Sequence, residues 1–123
     1  MFQSVMPWFE YPLMFPASLD SMRFENNALD LFADDAPLSE LFRVIRGSRM
    51  DRPVGLPWLD ADRAVFIAVN RFPGDDVALA LDYRTGVVDP RVVASDFWTD
   101  PSRCSWRLVA HRFTQLLTAL GLT

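Results

Sequence analysis

Apolar positions recur with two periods along the chain, and both are plainest in its second half. Ala64-Val-Phe-Ile-Ala-Val-Asn is an apolar run rich in strand formers and bounded by polar residues, which predicts a well-covered strand. Phe72-Pro-Gly-Asp-Asp predicts a turn, with Gly74 placed to supply a positive φ and Pro73 fixing the chain before it. Val77, Leu79, Leu81 and Tyr83 then alternate with Ala78, Ala80, Asp82 and Arg84. That period of two predicts a strand with one large apolar face and one small-to-charged face. Arg84-Thr-Gly is a second turn, with the sheet expected to continue through Val87-Val88. Asp89-Pro90 interrupts it, because proline cannot donate to a ladder, and Arg91-Val-Val-Ala-Ser predicts another short strand. The connections are too short for a crossover helix, so the pairing should be antiparallel.

Beyond these strands the period lengthens. Trp106, Val109, Phe113, Leu116, Leu117 and Leu120 make one apolar stripe at helical spacing, with Arg107, His111, Arg112 and Gln115 mainly off it. This predicts a closing helix that starts between Ser102 and Trp106 and stops near Gly121. Its stripe is expected to pack on the large face of the strand at 77–83, joining two layers.

The first half carries weaker signals. Residues 1–16 are proline- and aromatic-rich and read as an extended segment laid against the domain, with Trp8, Phe9, Tyr11, Leu13 and Phe15 as candidates for burial. Ser18 can cap a short helix, which Asn26-Asn27 should weaken. Asp34, Asp35 and Pro37 read as a break, and Leu38, Leu41, Phe42 and Ile45 predict a second short helix over 37–45. Residues 47–57, with two Gly and two Pro, read as a loop.

Composition narrows the class. A chain of 123 residues allows one domain, and half of them are apolar, including 10 Phe and 4 Trp, too many for a disordered chain. No apolar run is long enough to span a bilayer, and the first residues lack a basic signal region. A lone Cys104 leaves no internal disulfide, and with a lone His111 it argues against a zinc site. A cytoplasmic setting is the expectation, and no cofactor is predicted. Sixteen acidic residues against 12 basic ones give a net charge of −4. That balance argues against direct nucleic-acid binding and permits attraction to a basic protein.

Candidate chemistry is sparse. Asp75-Asp76 and Asp82 would bind a divalent cation only if their oxygens converged, and the spacing does not match a calcium loop. Turn-shaping is the better reading of Asp75 and Asp76, and Asp82 is expected to pair with Arg84, Arg91 or a neighbour from elsewhere in the chain. His111 reads as a surface helix residue, and Cys104 has no Cys-His-acid constellation around it. Trp106 fits the core, whereas Trp58 and Trp98 lie in predicted loops and are candidates for the surface. Asp60 and Asp62 pin their loop locally or face a partner.

Taken together, Ala61-Asp-Arg-Ala-Val-Phe-Ile-Ala-Val-Asn, Pro73-Gly-Asp-Asp-Val-Ala-Leu-Ala-Leu-Asp-Tyr-Arg-Thr-Gly, Asp89-Pro-Arg-Val-Val-Ala-Ser-Asp-Phe-Trp and the closing segment 106–122 resemble the SUKH superfamily of Smi1-like bacterial proteins. The resemblance covers 60–122, the firmest part of a single domain over 1–123. It implies an α+β fold: a bent, mostly antiparallel sheet packed by helices, including a C-terminal amphipathic helix. It also implies a non-catalytic protein-binding domain, with many relatives acting as immunity proteins against bacterial toxins. A basic toxin that is blocked by steric occlusion would suit an acidic partner. By likeness, Asp75, Asp76, Asp82 and Asp96 fall in the recurrent core pattern. Asp76, Asp82 and Asp96, with Gly74, are assigned to holding the fold. Trp58, Asp60, Asp62, Asp75 and Trp98 are the candidate partner-facing residues. The N-terminal part departs from the family's helices, its Leu-Pro segment and its Asn-Gly turn, so the chain is expected to be a divergent or truncated member. The alternative is a structural or regulatory scaffold without a toxin partner, and a third reading is a metal-dependent enzyme. Oligomeric state is not legible.

Overall fold

The computed structural model describes residues 13–47, 55–70, 77–97, 99 and 102–122. In chain order its elements are β1 (Leu13–Met14), α1 (Leu19–Asp34), α2 (Ala36–Phe42), β2 (Val44–Ile45), β3 (Leu59–Asp60), β4 (Ala64–Asn70), β5 (Ala78–Asp82), β6 (Arg91–Asp96), β7 (Ser105–Ala110) and α3 (Phe113–Ala119). This is a mixed α+β fold. A five-stranded sheet in the order β1-β4-β5-β6-β7 is antiparallel at every pairing, and β2 and β3 form a small parallel pair beside it.

β5 explains how layers attach to both faces of the sheet. Its large residues Leu79 and Leu81 enter a core with Ile67, Val92, Leu116 of α3 and Leu120 just after it. Its small residues Ala78 and Ala80 enter a second core with Phe66, Val93 and Trp106, together with Leu29 of α1 and Val44 of β2. Alanine on that face leaves room for the larger groups of the α1–α2 layer to approach. The alternation read from 77–83 therefore matches two buried faces.

α1 starts where Ser18 turns extended and its hydroxyl accepts from the Ser21 N–H at 3.1 Å, with Asp20 in the first turn. It ends at Asp35, which also caps α2 by accepting from the Leu38 N–H at 3.4 Å. Pro37 sits in the first turn of α2, where a missing N–H costs little. Asn26-Asn27 does not weaken α1, because Asn26 has a tertiary partner. Its side-chain amide accepts from the Phe66 N–H at 2.7 Å and donates to the Phe66 carbonyl at 3.2 Å. β1 pairs only with Val69 and Asn70, so Asn26 satisfies part of the β4 edge that β1 leaves open.

Four expectations need correction. The closing helix is confined to Phe113–Ala119, and Trp106 and Val109 belong to β7 instead. β6 is buried along nearly its whole length and requires a neighbour on that side. The second helix stops at Phe42, where Arg43 takes φ 50°, and Val44–Ile45, expected to be helical, pairs instead with Leu59–Asp60 across the predicted loop. Val87 and Val88 do not extend the sheet and are 77% and 94% exposed. Leu13 packs against the core but Phe15 is largely exposed, while Trp8, Phe9 and Tyr11 lie outside the described residues. α3 has no capping side chain of its own; Asp89 supplies one from the β5–β6 loop, accepting from the Thr114 N–H at 3.1 Å and hydroxyl at 2.7 Å.

Candidate functional site

Asp60 is turned inward at the end of β3. It is 7% exposed, and Oδ1 accepts from the N–H groups of Gly47 at 2.8 Å and Asp62 at 3.0 Å. A Cβ on Gly47 would lie 2.1 Å from Oδ2 of Asp60, so only glycine fits this close approach. Gly47→Ala is expected to cost about 2 kcal/mol, because either the carboxylate or the backbone must move. An unchanged urea midpoint for that variant would show that the two segments are not held together.

Asp62 joins a different network. The Arg46 guanidinium donates to Asp34 at 3.0 Å and to Asp62 at 2.9 Å, and it also pairs with Asp30. Its hydrogen bonds to Asp34, Asp30 and Asp62, in that order, raise the Arg46 pKa further above its ordinary value. This ties α1 to the segment after β2 and to the 3₁₀ turn at Ala61–Arg63. Trp58 is half-buried, and its carbonyl accepts from Arg84 at 2.9 Å.

Among the described residues, Asp82 is the most enclosed charged group. It is fully buried at the end of β5. Oδ1 accepts from the Arg84 N–H at 3.1 Å and Nε at 2.9 Å, and Oδ2 accepts from Arg84 Nη2 and Arg91 Nε, each at 2.8 Å. Four charge-assisted bonds use the acceptor capacity of this carboxylate, leaving it poorly placed to act as a base or metal ligand. Asp96 is buried at the end of β6; Oδ1 accepts from the Thr99 N–H at 3.2 Å and Oδ2 lies 2.9 Å from Arg107 Nε. Gly74, Asp75, Asp76 and Trp98 lie outside the described residues.

Cys104 is wholly buried between β7 and α2, and its N–H donates to the Leu41 carbonyl at 2.8 Å. Burial is the main reason its thiol is pushed up to about 12. A thiol reagent at pH 8 should label the native protein at least ~100-fold more slowly than the urea-unfolded chain. Equal rates would contradict this burial. His111 is exposed just before α3. Among the described residues, no three His, Cys, Asp or Glu side chains gather as a metal site, and no helix is long and apolar enough to cross a membrane.

What the sequence did not single out is the outer face of α1. Five carboxylates, Asp20, Glu25, Asp30, Asp34 and Asp35, surround it against Arg23 and the incoming Arg46, a net −3. Phe24 and Leu31 stand exposed among them. Beside Phe24 lies an open, mainly apolar groove of about 430 Å³, lined by Met14, Pro16, Ala17 and Val69 and edged by Asp20 and Glu25. Helical periodicity held the signal: Phe24 and Leu31 are seven apart, and neither shares the face of Leu29.

No protein-family model matches the chain, and no curated protein and no solved structure matches it.

Proposed function

We propose that this chain is a non-catalytic protein-binding domain of the SUKH, Smi1-like kind, acting as an immunity protein that occludes a basic bacterial toxin. The supporting observation is the placement of charge. Five carboxylates against two arginines, a net −3, gather around α1. Such a patch steers a cationic protein and disfavours an acidic one. An antiparallel sheet packed by helices, with a helix after its last strand, is what the resemblance leads one to expect. Asp82 and Asp60 support the frame under this surface, because their carboxylates are taken up internally.

The test is coexpression with the product of a neighbouring candidate toxin gene, measuring rescue of growth together with direct binding. Rescue with a stable complex supports the reading, and binding should weaken as salt rises. A folded protein that neither rescues nor binds counts against it and favours a structural or regulatory scaffold.

A further inference from the structure

α1 turns Met22, Asn26, Leu29 and Ala33 towards the sheet. Its opposite pole carries Asp20, Phe24, Asn27 and Leu31, all exposed. On a helix lying over a sheet this pole is farthest from the core, where polar side chains are the rule. Phe24 is instead 74% exposed and Leu31 58%. A single exposed apolar side chain is ordinary. Here two large ones lie on one seam, two helical turns and about 10.5 Å apart. The groove edged by Asp20 and Glu25 adjoins the first of them.

That spacing fits another helix lying along α1, because a helical partner presents apolar groups at the same repeat. Charge selects among helical partners. A second copy of this chain would set a net −3 against another −3, whereas a cationic helix would be attracted. We propose that the outward seam of α1, Phe24 and Leu31 with the adjoining groove, docks an amphipathic helix of a partner protein whose apolar stripe is flanked by arginine or lysine. The proposal rests on the binding-domain reading and adds the surface and the shape of what it takes. One apolar side chain of the partner enters the groove beside Phe24, and another, two turns along, covers Leu31. The partner's cations face Asp20 and Glu25. Asp30 and Asp34 contribute less, because Arg46 already engages both.

The experiment uses the whole 123-residue chain and a synthetic amphipathic Leu/Arg peptide of about 18 residues, long enough to form a helix on docking, with a Leu/Glu peptide of the same pattern as control. Binding is followed by fluorescence anisotropy and by amide chemical shifts. The Leu/Arg peptide should bind and shift residues 20–31, and the Leu/Glu peptide should not. The double variant Phe24→Ser, Leu31→Ser leaves the charge unchanged and should weaken binding by about 10-fold or more. Its melting temperature should stay within ~3 °C of the wild type, because the substituted side chains are exposed. Absence of peptide binding, or equal binding by the variant, overturns the proposal. A melting temperature that falls further means the chain itself covers the seam, and a wild-type dimer that the variant dissociates means a second copy does; either also overturns it. A coexpressed toxin held equally by wild type and variant would refute this surface while leaving the binding-domain reading intact. A peptide docked on α1 without any toxin binding would do the reverse.

Discussion

Asp82→Ala is expected to lower stability by about 3 kcal/mol and the melting temperature by roughly 10 °C. The carboxylate is fully buried and accepts from two arginines whose side chains are 12% and 21% exposed. Removing it leaves two cations facing each other without a counter-charge. Their partial access to water places the cost at the lower end of the range for breaking a buried pair. Arg84 also holds the Trp58 carbonyl, so its release should loosen the loop before β3. Asp82→Asn should cost less, because an amide oxygen still accepts from one arginine. Acid should act on the same contact. Burial works to raise the Asp82 carboxyl, but side-chain and backbone hydrogen bonds from Arg84, its charge, and Arg91 outweigh burial and hold it below its ordinary value. A lowered folded value means the contribution is present above the unfolded value of about 3.9. It is lost as pH falls through the lower folded value. Urea midpoints between pH 7 and pH 2 should therefore fall more steeply in the wild type than in Asp82→Ala. Parallel curves would show that Asp82 does not carry this acid sensitivity.

The strands at 64–70 and 78–82 were legible because their own side chains decide the matter. Branched and alternating apolar residues fit a sheet buried on both sides, and neither stretch has a competing helical period. α1 was harder to read, since two asparagines weaken a helix on propensity, and the bond that anchors Asn26 reaches 40 positions along the chain. β2 and β3 are two residues each and are held by packing, which leaves almost no pattern. The candidate site divides the same way. Asp82 beside Arg84 and Arg91 was open to reading from short spacing. The enclosure of Asp60 by Gly47 was not, because it depends on two segments meeting. The outer pole of α1 becomes visible only once Leu29 fixes which face is buried.

Trp106→Ala is expected to cost about 4 kcal/mol, the largest effect of a single apolar substitution here. Trp106 is where the two periods collide. Trp106, Val109, Phe113 and Leu116 obey helical spacing, while Trp106, Leu108 and Ala110 alternate as a strand would. A shift in register beside Val92 and Val93 lets both Val109 and Ala110 pack on the core with Leu116, which hides the alternation. The strand places Trp106 in the other core, with its ring stacked 6.0 Å from Phe66 and its indole N–H donating to the Phe42 carbonyl at 2.8 Å. Truncation empties that space and leaves a carbonyl without its donor. Trp106→Phe keeps most of the ring and should lose only about 1–2 kcal/mol, the share of the hydrogen bond. A double-mutant cycle then separates the two geometries. Trp106 should couple to Phe66 by about 0.5 kcal/mol or more and add independently with Leu116. Coupling to Leu116 in place of Phe66 would return Trp106 to the closing helix and remove the last strand from the sheet.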